Sequence, residues 1–95
     1  MTIDDIFSMM QAGASKVTFE DRLKFDCGDD GVILLSQEGV SRVDTDADCT
    51  IRISADNLGK LLTGKLNPMT GLALGKLRIS GNPAVAMKLA SLLKG

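Results

Sequence analysis

The chain contains no histidine, no tryptophan and no tyrosine. Without histidine there is no imidazole base, no Ser–His or Cys–His pair and no histidine metal ligand. Aromatic residues are confined to Phe7, Phe19 and Phe25, too few for the stacking platforms on which single-stranded nucleic acid is laid. An excess of charge of one sign is missing as well. Eleven Lys and Arg stand against 12 Asp and Glu, for a net charge of −1, so the bulk footprint of a nucleic-acid binder is absent. The two cysteines, Cys27 and Cys49, are too few for a disulfide scaffold or a four-thiolate zinc site; they read as small apolar strand residues with reduced thiols. No run of about 20 apolar residues is available to span a bilayer. The opening Met1-Thr2-Ile3-Asp4-Asp5 is acidic where a secretion signal is basic. These absences point to a cytoplasmic protein with no metal and no cofactor.

What remains is a chain of 95 residues, 44% apolar and 24% charged. That composition predicts one small folded domain over 1–95 with a modest core.

Ile3, Ile6, Phe7 and Met10 recur at helical spacing, which predicts a helix over Ile3–Ala12 with Thr2 as N-cap, Asp5 in a capping-box position and Gly13 as the stop. From Thr18 to Cys27 the period falls to two. Phe19, Leu23, Phe25 and Cys27 share one face, and Glu20, Arg22, Lys24 and Asp26 share the other. Gly28-Asp29-Asp30-Gly31 is hairpin chemistry, and Val32–Leu35 follows as a strand apolar on both faces. A turn at Glu38-Gly39 introduces a weak third strand over Val40–Val43. Asp44, Asp46 and Asp48 alternate in an acidic stretch that lacks the glycine and bidentate glutamate of a calcium loop and reads as a solvated connection.

Cys49–Ser54 alternates cleanly as a strand, after which Ser54 caps a short helix over Ala55–Leu62 with Leu58, Leu61 and Leu62 on its apolar side. Asn67-Pro68 starts a further helical turn whose apolar side is Met69, Leu72 and Ala73. Lys76–Ser80 is a last strand with Leu77 and Ile79 inward, and Asn82-Pro83 opens a closing helix with Val85, Leu89 and Leu92 on one face. Helix, three strands, a strand, two short helices, a strand and a helix together predict an α+β domain around one mainly antiparallel sheet.

No catalytic constellation emerges. The carboxylate pairs Asp4/Asp5, Glu20/Asp21 and Asp29/Asp30 fall at a helix start, a wet strand and a turn, where capping, solubility and turn propensity account for them. Gly64-Lys65 lacks the upstream glycine and following Ser/Thr of a phosphate loop. Lys60, Lys65, Lys76 and Arg78 cluster in sequence; they fit either contact with an anionic membrane surface or simple solvation. Met9, Met10, Met69 and Met87 lie in helical segments. Such flexible side chains either fill a core or line an adaptable apolar cavity.

One ordered set of segments is more specific. Asp48-Cys49-Thr50-Ile51-Arg52-Ile53-Ser54 leads into Leu58–Leu62. Thr63-Gly64-Lys65-Leu66-Asn67-Pro68 follows, then Gly75-Lys76-Leu77-Arg78-Ile79-Ser80-Gly81-Asn82, then Ala86-Met87-Lys88-Leu89. This order and spacing resemble the sterol-carrier-protein lipid-transfer domain family, most closely over residues 48–92. The resemblance implies a five-stranded sheet, mainly antiparallel or mixed, with helices packed on one face and an apolar tunnel between the layers. It also implies non-catalytic binding of a fatty acid, fatty acyl-CoA or sterol-like lipid. The turn after Asn67-Pro68 and the closing helix would line the tunnel with Met69, Leu72, Leu74, Val85, Met87, Leu89 and Leu92. Phe7 and Met10 of the first helix and Leu58 and Leu62 of the second complete the candidate ligand-binding set. The competing reading is an interaction module, a homodimer or an enzyme-docking domain, whose apolar cleft holds a partner chain. Neither reading makes the chain an enzyme or a nucleic-acid binder.

Overall fold

A computed structural model of the chain describes residues 2–14 and 21–94. Helix α1 spans Ile3–Ala14. Its start is the expected capping box: the Asp5 backbone N–H donates to Thr2 Oγ1 at 3.2 Å, and the Thr2 N–H donates back to Asp5 Oδ2 at 3.1 Å. Hydrogen bonding to the carboxylate by the Thr2 backbone N–H, foremost, and by the Thr2 side chain holds the Asp5 carboxyl below its ordinary pKa. The helix runs past Gly13, the expected stop, because a helical glycine costs only about 1 kcal/mol and does not by itself break a helix. Ile3 and Ile6 are buried, with Phe7 and Met10 packed against the core.

Strand β1 is Leu23–Asp26, shorter than the Thr18–Cys27 run of period two; Phe19 lies outside the described residues. A single 3-10 turn at Gly28–Asp30 reverses the chain into β2, Val32–Ser36. Strand β3 is Gly39–Ser41. It stops before Val43, which leaves the sheet for an exposed crossover. Strand β4 is Cys49–Ile53, and Ser54 caps helix α2, Ala55–Leu62, accepting from the Asn57 N–H at 3.1 Å. Helix α3, Pro68–Ala73, begins at Asn67, whose Oδ1 accepts from Met69 and Thr70. Strand β5, Leu77–Gly81, and helix α4, Pro83–Lys94, complete the chain.

The five strands form one sheet in the order β3-β2-β1-β4-β5. Three pairings are antiparallel, and β1 with β4 is parallel, so the sheet is mixed. The parallel pair requires a crossover past β2 and β1. That segment lies on the outer face, where Asp44 accepts from Lys24 Nζ at 2.8 Å and Asp48 accepts from the Arg22 N–H at 2.9 Å. The acidic stretch is therefore a connection, two of whose carboxylates tie it to Lys24 of β1 and to Arg22 just before that strand. Arg42, at its start, reaches α1 through Asp4 and stacks over Phe7.

Directly paired residues share a face of the pleat. Leu35, Leu23 and Cys49 form one inner row; Ile33, Phe25, Ile51 and Ile79 form the next, and Ile53 pairs with Leu77. With Ile6, Leu58, Leu61, Val85 and Ala86 from the helices they make one core. The outer face carries Lys24, Asp26, Thr50, Arg52, Arg78 and Ser80 at the intervening positions. Cys49 is in register with Leu23, four residues before Cys27, so the two buried, free thiols sit about 13 Å apart along the strands. That lies well beyond the Cα separation of about 4.4–6.8 Å that a disulfide spans.

Candidate functional site

Where β4 and β5 meet the helices, the core is incomplete. A cleft of about 140 Å³ opens there, floored by Ile51, Leu77 and Ile79 and walled by Leu61 of α2, Pro68, Met69 and Leu72 of α3, and Pro83, Ala86 and Met87 of α4. Every lining residue is apolar. The floor follows from strand alternation: Ile51 and Ile79 are in register, and Leu77 is two residues from Ile79 on the same face.

The walls follow from how α3 sits. Its expected apolar side, Met69, Leu72 and Ala73, is not the side that packs. Gly71 is the buried residue of α3, and a Cβ placed there would lie 3.1 Å from Leu77 Cδ2 and 3.5 Å from Leu66 Cδ2. The smallest residue makes the contact, so the backbone approaches β5 closely and the larger side chains stand at the cleft mouth. Met69 and Leu72 are consequently 57% and 42% exposed, and Met87 of α4, also lining the cleft, is 56% exposed. Three large, exposed apolar residues, Met69, Leu72 and Met87, around one opening on a small chain mark a binding surface.

The candidate residues separate into groups. Met69, Leu72 and Met87 line the cleft. Leu58 and Val85 are fully buried in the core, and Phe7, Met10 and Leu62 pack against it. Leu74 is exposed and lies outside the lining. The side chains of Leu89 and Leu92 lie outside the described residues. Sequence reasoning missed Ile51, Leu61, Leu77, Ile79, Pro68, Pro83 and Ala86 as lining residues. The signal for three of them was the strict alternation in β4 and β5.

A profile of the SCP-2 sterol transfer family matches residues 7–94. The chain belongs to that family. It is 53% identical over 49 residues to sterol carrier protein 2 of Gallus gallus, covering 52% of this chain and 9% of that protein. It is 41% identical over 51 residues to peroxisomal multifunctional enzyme A of Dictyostelium discoideum, covering 54% of this chain and 12% of that protein. The match thus spans only about a tenth of the length of these relatives. Among solved structures, sterol carrier protein 2 like 2 from Aedes aegypti has a TM-score of 0.79 at 19% identity, with 94% of each chain covered. Sterol carrier protein 2 from Aedes aegypti, solved with palmitate, also has a TM-score of 0.79, at 17% identity, covering 95% of this chain and 92% of that one. These likenesses establish the fold.

Within this SCP-2 fold the electrostatics of the cleft are simple. No charged group lines it, and among the described residues no charged or polar residue is buried. Cys27 and Cys49 are the buried titratable groups, and burial, foremost, raises both thiols, that of Cys27 to about 11. Both lie outside the cleft lining. Among the described residues no helix is long and apolar enough to cross a membrane.

Proposed function

We propose that this chain is a single lipid-binding domain over 1–95 that binds and carries an apolar lipid of the fatty-acid class, without catalysis, in the space between α3, α4 and the β4–β5 face. The observation that carries the reading is the wholly apolar cleft opening beneath two helices at an exposed apolar mouth. Membership of the SCP-2 family and a palmitate-bound neighbour of the same fold support it. With only apolar side chains lining the cleft, it offers a guest apolar contact and no ionisable group.

Size limits what the cleft holds as it stands. A dry cavity of about 150 Å³ admits a benzene ring, so 140 Å³ takes about six carbons. At about 0.8 kcal/mol per buried CH₂, six contribute about 5 kcal/mol, a Kd of order 0.1–1 mM. Micromolar binding needs about ten buried methylenes by the same reckoning, and ligand sites of drug size run to about 300–1,000 Å³. The domain therefore opens around its guest into the longer apolar tunnel, by displacement of α3 and rearrangement of Met69 and Met87. Of the candidate set, Met69, Leu72 and Met87 contact the guest first; Leu58, Val85, Phe7, Met10 and Leu62 join as the core parts toward α1.

Native mass spectrometry of freshly purified protein, together with displacement of a fluorescent fatty acid, tests the proposal. A co-purifying apolar mass and saturable displacement are expected. An empty homodimer that takes up no probe would overturn the reading in favour of a cleft filled by a partner chain.

A further inference from the structure

The four cations that cluster in sequence do not stay together in space. Lys60 pairs with Asp56 on α2, and Lys65 lines the same shallow surface beside Thr63. Lys76 and Arg78 instead join Arg52 in a groove of about 420 Å³ at the end of the sheet where β1 and β4 finish and β5 begins. Asp26 and Ser54 complete its polar lining.

The register makes this groove unusual. Asp26, Arg52 and Arg78 are directly opposite one another on three adjacent strands, on the outer face of the sheet. Arg52 and Arg78 are thus a like-charged cross-strand pair, an arrangement that destabilises a sheet when nothing lies between the charges. One carboxylate serves the row. Asp26 Oδ2 lies 3.6 Å from Arg52 Nε, and its other oxygen accepts the Gly28 N–H at 3.0 Å. Among the described residues neither Lys76 nor Arg78 has a carboxylate partner. Asp29 and Asp30 of the adjoining turn lie outside the lining. Three cations against one carboxylate leave two positive charges, with planar guanidinium forks suited to bidentate oxyanion contacts.

We propose that this groove binds a phosphate group, Arg52 and Arg78 sharing its oxygens and Lys76 adding a third charge. A bound phosphate removes the repulsion built into the register and occupies a space that the cleft on the opposite face does not use. The phosphate has two candidate sources, a phospholipid headgroup at an anionic bilayer or free phosphate in solution. The headgroup source rests on the lipid-carrying reading above; the phosphate chemistry does not.

The test uses the whole chain and the variant Arg52→Gln/Arg78→Gln, with Arg78→Gln alone as a second variant should the double variant lose stability. Removing a like-charge pair from an exposed face should leave the fold at least as stable in chloride buffer. Inorganic phosphate, titrated against chloride at matched ionic strength, should shift the amide signals of Arg52, Ser54, Gly75, Lys76 and Arg78 saturably, and the variants should lose that response. Vesicles of phosphatidylcholine with phosphatidic acid should retain the wild type and release the double variant by roughly 30-fold, from roughly fivefold per basic residue at an anionic surface. Arginine-dependent binding in both arms identifies a headgroup; binding of inorganic phosphate alone identifies a soluble source, and both support the site. No saturable phosphate response, or one that survives the double variant, overturns it. Fatty-acid displacement by the double variant should be unchanged. A wild type that fails that assay yet binds phosphate would defeat the lipid-carrying reading and leave the groove standing.

Discussion

Leu72→Trp separates a cleft that receives a guest from a gap in an ordinary core. Leu72 is 42% exposed at the mouth, and the space beside it is empty and apolar. An indole there fills volume without displacing packed atoms, so stability should change by under about 0.5 kcal/mol, as for other substitutions away from a filled interior. The same indole takes the place of three to four methylenes of any guest. At about 0.8 kcal/mol each that is about 3 kcal/mol, a loss of more than about a hundredfold in affinity. Were Leu72 packed in a filled core, overpacking would cost about 1–3 kcal/mol, and the melting temperature would fall by roughly 4–8 °C per kcal/mol for a domain of this size. Thermal melts run beside displacement of a fluorescent fatty acid distinguish the two. The expected result is an unchanged melt with uptake nearly abolished. Leu74→Trp is the control, since Leu74 is exposed outside the lining and should alter neither. A Leu72→Trp protein that melts several degrees lower while binding the probe as well as wild type would refute the assignment of this cleft.

The remaining predictions address the backbone and the thiols. Gly71→Ala adds a Cβ 3.1 Å from Leu77 Cδ2; that methyl can yield into the adjoining cleft, so stability should hold or rise by up to about 1 kcal/mol from helix propensity while probe affinity falls. A loss above 1 kcal/mol in a denaturant titration would show that Leu77 cannot move. Gly81→Ala should be far more damaging, because Gly81 has φ +91° and its Cβ would lie 2.6 Å from the Asp48 carbonyl oxygen; a loss of at least about 2 kcal/mol is expected, and a near-neutral melt would contradict the close approach of β5 to β4. Cys27 is raised by burial from 9.0 to about 11. A group whose folded pKa lies above its unfolded one contributes stability that is complete below the unfolded value and lost as pH rises through the folded value. Stability should therefore decline between pH 9 and 11, less steeply in Cys27→Ala, and identical alkaline profiles would remove the thiol as the cause. Both thiols should resist alkylation at pH 8 until the chain is unfolded, as judged by intact mass.

Local chemistry alone determined a good deal of this molecule. The capping box of Thr2 and Asp5, the caps at Ser54 and Asn67, and the hairpin at Gly28–Gly31 depend on residues within a few positions of one another, so propensity and hydrogen-bonding capacity were enough to read them. Strand alternation likewise placed Leu23, Phe25, Ile51, Ile53 and Leu77 inward, because the two-residue period of a pleat is indifferent to which strand lies alongside. An ordered set of motifs carried the family. Tertiary structure alone decided three things. The parallel pairing of β1 with β4 joins segments more than twenty residues apart, and antiparallel and parallel partners present the same alternation. The burial of Gly71 in place of Met69 and Leu72 depends on which side of a six-residue helix meets β5, and so short a helix has too few turns for its apolar stripe to dictate that. Arg52 and Arg78 are 26 positions apart, yet face each other across two strands. Charge spacing along the chain grouped Arg78 with Lys60, Lys65 and Lys76, whereas the register of the sheet pairs it with an arginine that no local pattern singled out.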